Sequence, residues 1–211
     1  MNDVKFKKEK TRKLTPGEKL LVVQVYKNSV NADLVNVHNR KYIFFQPNGT
    51  LMTPNGSIYA GKAYKDDYSA HSLDDASLFI HEIAHVWQKQ NKVLNPFWAG
   101  IGQFLRNPFN YDGAYDYTLD AEKDLLDYKI EQQAQIIQDY FQIFIQKRGP
   151  WSDNMKNDVS NAERNKLYEA VLARFITNPK YPTLKDAAKG TSGLIEGYSG
   201  GGFGGGGASG W

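Results

Sequence analysis

The stretch Phe79–Gln88 reads FIHEIAHVWQ and contains two histidines, His81 and His85, four positions apart. On a helix, residues at positions i and i+4 lie on the same face, so both imidazoles can point toward one bound ion. Glu82 follows the first histidine and can reach a water molecule on that ion. This H-E-x-x-H spacing is typical of zinc hydrolases, in which the glutamate is the general base.

The residues around this motif predict an amphipathic helix from Leu73 to about Asn91. Its apolar side chains recur at helical spacing and form one face; they are Phe79, Ile80, Ile83 and Trp87. The adjoining face carries Leu78 with the two histidines and Glu82. One side of the helix is therefore expected in the core and the other at a chemical site, with Trp87 and Gln88 packing behind the metal ligands.

The chain has no cysteine, which excludes thiolate zinc sites, disulfides and thiol nucleophiles. A zinc ion would then be held by histidine and carboxylate, the ligand chemistry of catalytic rather than structural zinc. The sequence predicts a site for one Zn²⁺ ion, with three protein ligands and an open position.

The third ligand is expected from a second helix, because the other histidines, His38 and His71, both precede the motif. Glu131 is the first candidate, since it lies beside the apolar stripe of a later helix. Glu122 and Asp127 are its rivals, and the spacing alone leaves the choice open. His71, ten residues before the motif, could support the ligands from behind.

A small sheet is predicted ahead of the motif helix. Thr15 and Glu18 flank Pro16 in the pattern of a capping box, which indicates a helix to about Tyr26. Two Asn-Gly pairs favour tight turns between short β-prone runs. These runs predict a hairpin or a three-stranded sheet, and they are Leu34–Val37, Tyr42–Phe45 and Ile58–Tyr59.

Helices dominate the remaining sequence. A long helix is predicted from about Ala121 to Lys147, and another from about Asn161 to Ile176. A short helix is expected within Asn95–Phe109, followed by a Tyr/Asp-rich loop over Tyr111–Asp120. The fold class is therefore α+β: mainly helical, with a small N-terminal sheet and a motif helix packed on a long second helix.

The chain divides into three predicted regions. Residues 1–13 are basic and are expected to form a flexible leader, residues 14–189 form the main domain, and residues 190–211 form a glycine-rich flexible tail. No signal peptide and no membrane-spanning run are expected, which favours synthesis in the cytoplasm and no membrane insertion. The basic leader also admits a nucleic-acid-binding module, although a solvated arm is the preferred interpretation and no nucleic-acid partner is expected.

Three segments together resemble one bacterial family. They are FIHEIAHVWQ at 79–88, YDY at 115–117, and EQQA at 131–134 with DYF at 139–141. The sequence is similar to the zinc metallopeptidase effector domains that occur as C-terminal extensions of VgrG spike proteins, or in Rhs/Vgr-related proteins, of type VI secretion systems. The resemblance covers about residues 70–145, and the combined pattern is much more specific than H-E-x-x-H alone.

The resemblance implies a zincin-like metallopeptidase in residues 14–189. His81, His85 and Glu131 would bind zinc, and Glu82 would be the general base that hydrolyses peptide bonds through a zinc-bound water. It further implies an antibacterial toxin without a signal peptide, secreted by a type VI system on a VgrG/Rhs-type carrier. The toxin would act on a protein or peptide substrate in the target-cell periplasm, and a cognate immunity protein would oppose it.

The oxyanion of such a reaction needs a donor besides the metal. Tyr111, Tyr115 and Tyr117 are candidates, because a phenol on a mobile loop could swing toward the substrate, and His71 is a fourth. Substrate backbone is expected to pair with an edge strand near Gly56–Ala60.

Two further functions stay open at this point. A peptidoglycan amidase or endopeptidase would use the same zinc chemistry on another substrate. Alternatively, a non-catalytic adaptor domain would use zinc only to hold its helices together, with an all-protein fourth ligand.

Overall fold

A computed structural model describes residues 9–44, 46–93, 113–150 and 153–183. The expected flexible leader over residues 1–8, the short helix within Asn95–Phe109, Tyr111 and the glycine-rich tail lie outside these residues. The described part combines a three-stranded sheet with four α-helices, which confirms the α+β class. No helix in these ranges is both long and apolar enough to cross a membrane.

The sheet contains the strands β1 (Thr11–Lys13), β2 (Asn36–His38) and β3 (Ile58–Tyr59). The central strand β2 runs antiparallel to β1, with Arg12 opposite Val37, and parallel to β3, with Val37 opposite Ile58. Val37 and Ile58 are fully buried, so the sheet contributes to the core through its middle.

The third strand comes from an unexpected part of the sequence. Tyr42–Phe45 was the predicted strand, but residues 42–44 form bends and a turn. The buried side chain of Gln46 accepts from the Tyr42 amide at 2.8 Å, and the Gln46 amide donates to the Ile43 carbonyl at 3.0 Å. These local bonds replace the strand ladder.

Thr11–Lys13 forms the third strand instead. The prediction of a flexible leader over residues 1–13 is therefore wrong for its last three residues. The Arg12 guanidinium forms two 2.7 Å hydrogen bonds with the carboxylate of Glu18, whose side chain is fully buried. A two-pronged pair of this kind fixes the orientation of both side chains and holds the segment against the domain.

Helix α1 (Pro16–Tyr26) begins at the predicted capping box, with Thr15 and Glu18 exchanging hydrogen bonds. Helix α2 (Leu73–Gln90) is the predicted motif helix, and it ends within one residue of expectation. The apolar face forms the centre of the core: Phe79, Ile80, Ile83 and Trp87 are completely buried. The Trp87 indole also donates to the carbonyl of Pro179 at 2.7 Å, which confirms its packing role.

The long second helix is shorter than predicted. Helix α3 spans Ile130–Tyr140 and continues as a π-helical segment over Phe141–Ile145. Upstream, Asp124 accepts from the Leu126 amide and Asp127 accepts from the Asp124 amide, in a short 3₁₀ turn. Aspartates that bond their neighbouring backbone compete with helix formation, which explains why α3 does not begin near Ala121.

Helix α3 packs along α2, and residues 133–139 are all buried. Helix α4 (Asn161–Thr177) matches its predicted bounds and closes the core with Tyr168, Val171, Leu172 and Phe175. The α2–α3 contact brings the two sequence segments that carry candidate ligands to one place.

Candidate metal centre

Helix α2 presents three polar side chains at the interface with α3. His81 and Glu82 are each 5% exposed and His85 is 8% exposed, although all three are polar. Their burial follows from the helix itself, because the face next to a fully apolar stripe is covered by the helix that packs on it. Buried polar groups require partners, and these come from α3, from α2 itself and from the segment that precedes α2.

Glu131, in the first turn of α3, completes a three-residue cluster. One of its carboxylate oxygens, Oε2, lies 3.4 Å from Nε2 of His81 and 3.3 Å from Nε2 of His85. One ligand atom from each residue lies within 4.8 Å of the other two. Ligand atoms about 2.1 Å from a tetrahedral ion are separated by about 3.4 Å, so this donor set fits zinc in both chemistry and spacing.

The electrostatics of the cluster depend on the same three groups. Burial alone would lower the pKa of His85, but the neighbouring Glu131 carboxylate outweighs it and raises that pKa to about 9. Burial would also raise the pKa of Glu131, yet the two histidines hold it well below its usual range. The carboxylate is therefore ionised and ready to act as a ligand.

The rival ligands do not reach this cluster. Glu122 and Asp127 are exposed and precede α3. His71 is exposed ahead of α2, and the eight residues from Leu73 to His81 correspond to about 12 Å of helix axis. His38 lies on β2, where its ring stacks on Tyr59. His71 is not one of the three residues of the cluster, and its role as an oxyanion donor or a support for the ligands stays a prediction.

The predicted base, Glu82, is held by a residue that the sequence did not indicate. The hydroxyl of Thr53 donates to Oε2 of Glu82 at 2.6 Å, and both side chains are buried. Thr53 lies between Met52, which bridges to β3, and Pro54. This hydrogen bond connects the sheet side of the domain to the motif helix.

The sequence and the fold are both similar to those of a known bacterial protein. VgrG2b, a type VI secretion system spike protein of Pseudomonas aeruginosa, is 36% identical over 171 residues, which are 80% of this chain and 15% of the spike protein. The effector domain of Pseudomonas aeruginosa VgrG2b has a solved structure that matches with a TM-score of 0.57 and 32% identity, over 78% of this chain and 82% of that domain. The chain belongs to the VgrG2b effector-domain family. No protein-family model matches it.

In this VgrG2b-type domain, both histidines have a glutamine behind the ring. Nδ1 of His81 lies 3.0 Å from Oε1 of Gln138, and Nδ1 of His85 lies 2.9 Å from Oε1 of Gln88. An amide oxygen accepts, so each Nδ1 carries a hydrogen and each Nε2 faces the Glu131 side. Gln88 thus contacts a candidate ligand as predicted, and Gln138 contacts the other histidine, which the sequence did not predict.

A chain of amides extends this support into α3. Gln88 donates to the Ile130 carbonyl at 3.0 Å and to Oε1 of Gln133 at 3.1 Å. Gln133 donates in turn to the Tyr128 carbonyl at 2.8 Å. The His85 ring is therefore fixed relative to the turn that carries Glu131.

The predicted oxyanion tyrosines divide into two kinds. Tyr117 is 2% exposed, and its hydroxyl donates to Asp139 at 2.5 Å and contacts the hydroxyl of Tyr168. This side chain ties α3 to α4, so its prediction as a swinging donor is wrong. Tyr115 is half-buried, with its ring 5.7 Å from that of His81 and tilted by 52°.

The loop that carries Tyr115 is held on both sides. Gln132 accepts from the Lys129 amide at 3.0 Å and donates to the Asp116 carbonyl at 2.6 Å. Tyr117 pairs with the strand-like segment at Met155 through backbone bonds to Asn154 and Lys156. Tyr115 is thus held beside the cluster by fixed neighbours, whereas the sequence favoured a mobile loop.

The expected substrate edge at Gly56–Ala60 is covered at its centre. The Tyr59 amide donates to the Met52 carbonyl at 2.8 Å, and the Met52 amide returns a bond of 3.1 Å. That prediction is corrected by the antiparallel bridge.

Proposed function

We propose that this chain is a zinc-dependent metallopeptidase of zincin-like fold, acting as the toxic domain of a type VI effector. The observation that supports it most strongly is the meeting of Glu131 with His81 and His85, beside the buried carboxylate of Glu82. Two imidazoles and one carboxylate from two helices form the donor set of catalytic zinc peptidases.

The cluster has three proposed protein ligands, which leave one coordination position of a zinc ion open. Three protein ligands are supplied by the cluster, and a catalytic zinc uses its fourth position for water or substrate. A structural zinc would need a fourth protein ligand, and among the described residues the cluster contains none. This favours an enzyme over a zinc-stabilised adaptor.

The bound zinc would polarise the scissile carbonyl and activate the attacking water. His81, His85 and Glu131 hold the ion, and the glutamines behind the histidines fix the ring orientations. Glu82 accepts the proton from the attacking water and delivers it to the leaving amine. One buried carboxylate thus serves first as base and then as acid.

Tyr115 is the proposed oxyanion donor. Its ring lies against His81, and the surrounding loop is fixed by Gln132 and Tyr117. A phenol held next to a ligand can donate to the charge that develops on the carbonyl oxygen, with little reorganisation.

The family supports a proposal for delivery. This chain matches 15% of the length of a type VI spike protein, so we propose that a VgrG-type carrier delivers this domain through a type VI system. The target-cell periplasm is the proposed place of action, and a cognate immunity protein would protect the producing cell by covering the metal centre.

The test combines metal analysis with two substrates. Wild type, Glu82→Ala and Glu131→Ala are prepared with and without added zinc, then incubated with a panel of unfolded proteins and with purified peptidoglycan sacculi. We expect one zinc per chain and new peptide termini for wild type, zinc without cleavage for Glu82→Ala, and neither for Glu131→Ala.

The substrate arms separate the two enzyme classes. Cleavage of proteins alone supports the proposal, whereas release of muropeptide fragments alone would replace it with a peptidoglycan hydrolase. Zinc binding by wild type without cleavage of either substrate, together with a chelator-induced loss of fold, would favour the adaptor function.

A further inference from the structure

The hydroxyl of Thr53 is placed to control the orientation of a carboxylate on another element. Its Oγ1 lies 2.6 Å from Oε2 of Glu82, although the two residues are 29 positions apart in the sequence. Thr53 is 6% exposed and Glu82 is 5% exposed. A charge-assisted hydrogen bond between buried groups is among the stronger kinds, because little water competes for either partner.

The support of Thr53 is independent of the metal ligands. The neighbouring Met52 exchanges two backbone hydrogen bonds with Tyr59, at 2.8 and 3.1 Å. Two residues further on, the side chain of Asn55 donates to the Tyr59 hydroxyl at 3.1 Å, and the Asn55 carbonyl accepts from Lys89 at the end of α2. The hydroxyl is therefore held in place by the sheet and by the far end of α2.

We propose that Thr53 is a positioning residue for the general base. By holding Oε2, it fixes the plane of the carboxylate and leaves Oε1 to exchange the proton with water and leaving amine. An unheld glutamate samples several rotamers, and most of them aim the carboxylate away from the reacting water. This role rests on the proposed peptidase function and adds a residue from outside both ligand helices.

Two variants separate the hydroxyl from the shape of the side chain. Thr53→Val keeps the volume and removes the donor, while Thr53→Ser keeps the donor and removes a methyl group. With a peptide cleaved by wild type, we expect Thr53→Val to lower kcat by about 10- to 100-fold with KM within about twofold, since orientation of the base is lost but binding is retained. Thr53→Ser should return kcat to within about threefold of wild type.

A second readout does not depend on activity. In metal-free protein with ¹³C-labelled glutamate, the carboxyl signal of Glu82 is assigned by its loss in Glu82→Gln. We expect this signal to move in Thr53→Val and to stay near its wild-type position in Thr53→Ser.

The outcomes are distinguishable. An unmoved Glu82 signal in Thr53→Val, or a kcat of Thr53→Ser as low as that of Thr53→Val, would overturn the positioning role. Absence of any Glu82-dependent hydrolysis by wild type would instead overturn the peptidase function, and the carboxyl signal would then decide whether Thr53 orients Glu82.

Discussion

Oε1 of Gln138 on α3 lies 3.0 Å from Nδ1 of His81 on α2, so one helix orients a proposed ligand of the other. Gln138 is seven positions after Glu131 on α3, which is two turns along the same face. A single helix therefore carries one proposed ligand and supports the side chain of another. Such hydrogen bonds fix the ring tautomer and its direction toward a metal.

Replacing Gln138 by leucine should weaken zinc binding about 10- to 100-fold, because the His81 ring loses its acceptor. Gln138→Glu keeps an acceptor oxygen and is the matched control, with an affinity close to or above that of wild type. Competition with a chromogenic chelator at pH 7.5 measures both. Equal affinity of the leucine variant and wild type would mean that the bond plays no part in metal binding.

Removal of the third ligand should be far more severe. Glu131→Gln is expected to lose stoichiometric zinc after dialysis, since an uncharged amide is a poor ligand for this ion. Glu122→Gln, which changes an exposed carboxylate upstream of α3, should retain one zinc per chain. Elemental analysis of both proteins decides the matter, and loss of zinc from Glu122→Gln as well would contradict the assignment.

The two tyrosines of the 115–117 loop should respond differently. Tyr115→Phe is expected to lower kcat about 10- to 1000-fold with little change in stability, as removal of an oxyanion donor does. Tyr117→Phe should lower the free energy of unfolding by about 1–3 kcal/mol, because Asp139 loses a buried partner. Peptide cleavage and urea unfolding of both variants test this, and a fully active Tyr115→Phe would remove Tyr115 from the mechanism.

Asp139 should give the stability of the domain a distinctive pH dependence. Burial raises its pKa to about 6, against hydrogen bonds from Tyr117 and Gln135. A raised carboxyl pKa contributes stability fully below about pH 4, and this contribution is lost as pH rises through 6. Between pH 4 and 8 the free energy of unfolding of the metal-free wild type should fall by on the order of 3 kcal/mol more than that of Asp139→Asn. Urea unfolding at several pH values measures this difference. An equal change in the free energy of unfolding of the two proteins between pH 4 and 8 would show that Asp139 does not cause the pH dependence.

The motif helix could be predicted because its signals are local. Helical spacing of Phe79, Ile80, Ile83 and Trp87 defined the buried face, and the same spacing placed the two histidines together. The capping box at Thr15 marked the start of α1 for the same reason. Both features depend only on neighbouring residues along one helix.

Other features depend on contacts that no local pattern carries. Thr53 meets Glu82 across 29 positions, and neither flanking residue indicates a functional threonine. The strand Thr11–Lys13 is held against the domain by the ion pair of Arg12 with the buried Glu18. By contrast, Gln138 carried a usable signal, since it shares the helical face of Glu131 two turns later.

Growth of a susceptible bacterium that expresses the chain in its periplasm tests directly whether the domain is a metallopeptidase toxin. We expect that wild type stops growth, whereas Glu82→Ala, recovered from the same cells with one zinc per chain, does not. Equal toxicity of a zinc-loaded Glu82→Ala would contradict the claim that this domain acts as a metallopeptidase.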